Sequence, residues 1–171
     1  ACARKVSKAH LPKAKAKSDA LQREQLRLWF DAVGRIQNPT ISAYLQGLLL
    51  TGPRREELAN LRWDDVDFQW NSLTIRDKVE GERTIPLTPY LASLLRVLQA
   101  KNETAPTVRR LKTLNERGEE WKPSPWVFSS PTSETGKLEE PSIAHRKALA
   151  AAGLPPVSLH GLRRSFGSLS E

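Results

Sequence analysis

The apolar residues of this chain change their spacing partway along it, and that change limits the fold more than any other feature. From Leu21 to Leu61 they recur three to four residues apart, the period of an amphipathic helix. From Val66 to Leu87 they sit in short segments broken by Asp67, Asn71-Ser72 and Glu80-Gly81, the pattern of two or three antiparallel strands. After Pro89 the helical spacing returns with Leu91, Leu94, Leu95 and Leu98. A chain that alternates in this way is expected to be mainly α with a small antiparallel β-sheet inserted after its third helix, an α+β fold.

Punctuation residues place the boundaries. Ser18 offers an N-cap to a first helix carrying Leu21, Leu26, Trp29, Phe30 and Val33 and ending near Gly34 to Asn38. A second helix is expected from Ile41 to Leu50, entered through Pro39-Thr40 and closed by Thr51-Gly52. Pro53 suits the first turn of a third, from Arg54 to about Leu61. Residues 102–125 are polar, with a helical turn or more around Val108 to Leu114. Trp126 to Phe128 reads as a short strand, and Ser142 as the cap of a helix through Ala152. Gly153 and Pro155-Pro156 stop that helix, and a last one begins after Val157. No internal repeat is visible.

Several function classes drop out early. The longest apolar run, Leu48-Leu49-Leu50, is far short of the roughly 20 residues of a membrane span, and the N-terminus lacks the apolar core of a secretory signal. Cys2 is the single cysteine, so no intrachain disulfide can form, and three histidines without cysteine partners leave no structural zinc set. A soluble protein of a reducing, cytoplasmic setting is the expectation, with no cofactor and no metal.

Charge points to a polyanionic partner. The 171 residues hold 27 Lys+Arg against 19 Asp+Glu, a net +8. Residues 1–17 carry Arg4, Lys5, Lys8, Lys13, Lys15 and Lys17 with no acid, so that stretch alone is +6 and the rest only +2. It reads as a basic linker or tail able to lie on DNA phosphates, ahead of a domain at 18–171.

Catalytic templates that rest on a phosphate-cradling loop, a GxGxxG turn or a GxSxG elbow are absent. What remains is a set of cations at element ends. Arg54 opens a helix, with Glu57 one turn along the same face. Lys78 sits at a hairpin tip five residues before Arg83, and His160 and Arg163 share a helical face at i, i+3. Each alone has an ordinary explanation, such as a surface ion pair or a solvated lysine.

Together and in order they resemble the tyrosine recombinase, or phage integrase, family. Leu50-Thr-Gly-Pro-Arg54-Arg-Glu-Glu57-Leu-Ala-Asn-Leu-Arg-Trp63-Asp-Asp-Val-Asp67 is similar to that family's first arginine box, with Pro53 where an aliphatic residue is usual. Lys78 to Leu87 is similar to its lysine hairpin, and Leu159-His-Gly-Leu-Arg-Arg-Ser-Phe166 to its H-x-L-R box. The resemblance implies the catalytic-domain fold of these recombinases, C-terminally incomplete, and a site-specific DNA recombination activity. Arg54 and Arg163 would clamp the scissile phosphate, His160 would assist them, and Lys78 would protonate the leaving 5′ oxygen. Glu57 would support a neighbouring arginine or histidine, and Arg83 would add a DNA contact. The resemblance also implies double-stranded DNA as the partner, with the full-length protein a tetramer on paired DNA sites.

The family's nucleophilic tyrosine lies a few tens of residues beyond the H-x-L-R box. Tyr44 and Tyr90, the only tyrosines here, match no such position. The chain is therefore expected to stop before its nucleophile and to form no covalent adduct with DNA. Two other readings stay open: a non-catalytic DNA-binding module that keeps the integrase fold, and a basic helical scaffold for acidic proteins.

Overall fold

The computed structural model describes residues 19–171. The Ser18 cap and the basic tail therefore lie outside the described residues. The chain enters through Asp19 to Gln22, makes a 3-10 turn at Arg23–Gln25, and runs into α1 (Leu26–Gly34), which buries Trp29 and Val33. The Asn38 side chain accepts the Thr40 N–H at 3.0 Å and starts α2 (Pro39–Thr51), with Pro39 in the first turn, where no amide donor is needed.

α2 is the central helix. Residues from Thr40 to Leu49, Ile41 excepted, are buried, so it is enclosed nearly all round. It stops at Gly52, which takes a left-handed φ of 65° and returns its N–H to the Leu48 carbonyl at 3.0 Å. α3 (Arg55–Ala59) follows and is shorter than the sequence suggests, because the chain turns at Asn60 and a 3-10 turn forms at Trp63–Asp65.

Three antiparallel strands, β1 (Val66–Asp67), β2 (Ser72–Asp77) and β3 (Gly81–Pro86), form a sheet in sequence order. Leu73 pairs with Ile85 and Ile75 with Arg83. Leu73 and Ile75 are fully buried, so strand alternation puts Asp77 on the same inward face, and register puts Arg83 there too. That parity positions half of the site described below.

Thr88 caps α4 (Pro89–Glu103), whose Leu91, Leu95 and Leu98 join the core. α5 (Val108–Glu116) buries nothing fully. The expected strand at Trp126 to Phe128 is a single bridge between Arg62 and Trp126, flanked by bonds from Trp63 to Pro125 and from Val127 to Leu61. Pairing goes no further because the partner segment curls into the 3-10 turn. Ser142 is the first residue of α6 (Ser142–Ala151) and makes no cap bond; Pro141 occupies the cap position. α7 (Leu159–Leu169) is capped by Ser158, whose Oγ accepts the Gly161 N–H at 3.0 Å.

α2 packs against α1, α3, α4 and α7, and α1 also packs against α6. The core runs through this bundle and under the sheet, from Trp29 and Tyr44 to Leu73, Phe128 and Leu162. Among the described residues, no helix is long and apolar enough to cross a membrane.

Candidate phosphate-binding site

Arg54, Lys78, His160 and Arg163 line one concavity of about 1060 Å³, although they come from three distant parts of the chain. Each arrives for a local reason. Gly52 ends α2 so that Arg54 becomes the N-cap residue of α3, and a Cβ on Gly52 would drive into the Phe166 ring of α7. That close approach brings the arginine box and the H-x-L-R helix side by side. One turn of α7 then puts His160 and Arg163 on the wall, while the β2–β3 turn carries Lys78 to the rim.

Arg54 is held by acids. Glu57, 7% exposed, accepts the Arg54 N–H at 2.8 Å through Oε2 and the Arg54 guanidinium at 3.3 Å through Oε1. The same Oε2 accepts from Arg83 Nη2 at 2.8 Å. Glu57 thus braces two arginines, one on its own helix and one on β3. Asp77 pairs with Arg54 as well.

Arg163 differs. Its Nη1 is buried and has no hydrogen-bond partner among the described residues. The neighbouring Arg164, one residue round the helix, instead pairs with Asp19. A half-buried guanidinium with an unused donor inside a concavity is the arrangement a multivalent oxyanion would complete.

Other expected contacts fall elsewhere. Arg83 does not line the concavity, and its guanidinium is committed to Glu57. Arg4, Lys5, Lys8, Lys13, Lys15 and Lys17 lie outside the described residues. Tyr44 is buried in α2, donates its O–H to the Arg55 carbonyl at 2.7 Å, and is pushed well above the usual phenol range by burial. Tyr90 donates to Gln46 and stacks edge-on with Phe30 at 6.2 Å. Neither tyrosine lines the concavity. Among the described residues, no group of three or more His, Cys, Asp or Glu could hold a metal.

Several wall residues escaped the sequence reading, among them Asp77, Asp19 and His145. Asp77 had a signal, since an Asp two residues before a free amide in a hairpin commonly makes an Asx turn. Asp19 had none, because its partners lie 139 residues away. His145 had only its place in α6. It is 1% exposed, its Nε2 accepts the Trp29 indole N–H at 3.0 Å, and burial lowers its pKa to about 4.

That histidine has a measurable consequence. Between pH 6.5 and about 4 the unfolded chain takes up a proton on His145 that the folded chain refuses. Its contribution to stability is full above pH 6.5 and is lost as pH falls through about 4. Melting curves should show an acid-induced loss on the order of 3 kcal/mol from this group. His145→Gln keeps an acceptor for Trp29 but cannot protonate, so its acid sensitivity should be smaller. An equal loss in the variant would refute the assignment.

Comparison with known proteins bears on the family and the fold. The sequence model described as "Phage integrase family" matches residues 20–169. Prophage integrase IntF of Escherichia coli (strain K12) is 55% identical over 154 residues, covering 90% of this chain. The chain spans 29% of the length of that relative. XerA recombinase superposes with a TM-score of 0.66 at 19% identity, over 88% of this chain and 50% of that one. A lambda integrase tetramer bound to a Holliday junction gives 0.64 at 17% identity, over 93% and 44%. The helices and three-stranded sheet are those of a tyrosine recombinase catalytic domain, and the chain belongs to the phage integrase family.

Proposed function

We propose that this chain carries the phosphate-clamping part of a site-specific DNA recombinase of integrase type, acting on double-stranded DNA. The observation that carries the proposal is the meeting of Arg54, Lys78, His160 and Arg163 around one concavity, with a buried Arg163 donor left unpartnered.

The chemistry follows from charge. Attack on a phosphodiester passes through a transition state whose non-bridging oxygens carry negative charge, and fixed cations aimed at them lower the barrier. Arg54 and Arg163 each offer a planar, cationic fork. His160 hydrogen-bonds the phosphate or assists removal of the nucleophile's proton, and Lys78 at the rim protonates the departing 5′ oxygen. A tyrosine other than Tyr44 or Tyr90 forms the 3′-phosphotyrosyl link, which conserves the bond energy for strand rejoining. A structural relative is a tetramer on a Holliday junction, which supports a tetramer on paired DNA sites for the whole protein.

Duplex binding tests the reading. The chain should bind with little sequence preference, because phosphate contacts position a protein without identifying bases. Neutralising about five or six phosphates gives a log–log salt slope near −5. Removing residues 1–17 should flatten that slope far more than Arg163→Ala, since six cations leave instead of one. Arg163→Ala should still weaken binding about tenfold, because it deletes an enclosed fork that takes two oxygens. Salt-insensitive binding would remove phosphate as the ligand. A covalent adduct on a denaturing gel would make Tyr44 or Tyr90 the nucleophile and overturn the assignment.

A further inference from the structure

Asp77 closes β2 immediately before Lys78. Strand alternation turns it inward with Leu73 and Ile75, so its side chain is only 6% exposed although it stands beside an exposed turn. Its two oxygens do different things. Oδ1 accepts the Val79 N–H at 2.6 Å and the Glu80 N–H at 3.2 Å, which shapes the turn that presents Lys78. Oδ2 takes Nη1 of Arg54, 23 residues away in sequence. The Lys78, Val79 and Glu80 side chains make no hydrogen bond among the described residues, and the β2–β3 pairing ends at Asp77 and Gly81. One carboxylate is therefore the side-chain tie between the hairpin tip and the arginine box.

We propose that Asp77 is a positioning residue that sets the Lys78 turn and the Arg54 guanidinium as one unit against the same phosphate. Turn formation alone needs only one acceptor oxygen at this position, and an asparagine supplies it. The second oxygen, bound to Arg54, is what a turn does not need. It fixes the Nη1 corner of the guanidinium against Asp77 and Glu57, and leaves the opposite edge of the fork to meet a ligand. The Val79 N–H, with the Glu80 N–H and the Arg54 guanidinium, holds the Asp77 carboxylate at about pKa 2, so both ties persist at neutral pH.

The proposal rests on the concavity being a phosphate site, and its test separates the two. The variants are Asp77→Asn, which keeps the turn and loses the charge, and Asp77→Ala, which loses both. The probes are amide hydrogen exchange and binding of a random-sequence duplex by the 171-residue chain. Exchange at Val79 and Glu80 should accelerate about tenfold in Asp77→Ala and by a smaller factor in Asp77→Asn, which keeps the turn acceptor and loses only the tie to Arg54. Arg54→Ala should also accelerate exchange at those two amides, which a residue that only shapes a turn would not transmit. Lys78→Ala should weaken duplex binding about fivefold in the wild-type background and under twofold in Asp77→Asn, because the lysine is then no longer set against Arg54. An equal cost of Lys78→Ala in both backgrounds, or none in either, overturns the proposal. So does exchange at Val79 and Glu80 that ignores Arg54→Ala. Unchanged duplex affinity in both Arg54→Ala and Arg163→Ala would overturn the phosphate site itself, whatever the exchange data show.

Discussion

Glu57→Ala should destabilise the chain by about 2–3 kcal/mol and weaken duplex binding in the same variant. Glu57 is 7% exposed and receives an amide and two guanidiniums, so its removal leaves the α3 N-terminus uncapped, Arg83 without its paired acid and Arg54 with Asp77 alone. A fully enclosed pair broken in this way costs about 3–5 kcal/mol. Here the arginine side chains remain 53% and 39% exposed, so water recovers part of the loss. Glu57→Gln should fall between, since its carbonyl still accepts the Arg54 N–H but its charge is gone. Denaturant midpoints and duplex titrations on the three proteins decide it. Wild-type values for both quantities in Glu57→Ala would show that the carboxylate neither holds the fold nor sets the arginine.

How much of this was legible in the sequence depends on the distance over which each residue acts. The turn from α2 into α3 was readable because Thr51-Gly52-Pro53 is local chemistry: a left-handed glycine ends one helix and a proline precedes the next. The hairpin was readable because the period changes where Glu80-Gly81 breaks it. Glu57 could be placed one turn from Arg54, yet its second partner, Arg83, comes through strand register, which the sequence pattern leaves free by whole steps of two. Ser142 failed as a cap for a similar reason. A serine before an apolar run fits a cap or a first-turn position, and Pro141 took the cap. Trp126 failed as a strand because its partner, Arg62, leads into a 3-10 turn; Arg62 and Lys137 both approach its ring, with the cations 4.7 and 5.1 Å from its centre.

The two glycines of α7 make the sharpest test of the segment that leads into the domain. Gly161 stands between His160 and Leu162, on the face where Asp19 crosses the helix. A Cβ there would press into the Asp19 carbonyl oxygen and reach 2.9 Å from both Asp19 Oδ2 and Val157 Cγ1. Gly167 lies on the same helix with nothing within 4 Å of a built Cβ. Alanine in a helix interior normally gains about 0.5–1 kcal/mol over glycine, and Gly167→Ala should gain that much. Gly161→Ala should lose about 2–3 kcal/mol instead, because backbone on one side and a β-branched side chain on the other cannot both move away. The loss also has a route to the site. Asp19 Oδ2 accepts the Ser158 N–H at 3.0 Å and the Ser158 O–H at 2.6 Å, and Leu21 donates its N–H to Ser165 at 2.8 Å. Residues 19–21 therefore brace the first two turns of the helix that carries His160 and Arg163. Pushing them off should lower duplex affinity in Gly161→Ala while Gly167→Ala binds as wild type. Equal melting temperatures for the two variants would mean that the entering segment does not rest on α7, and that the placement of Arg163 owes nothing to it.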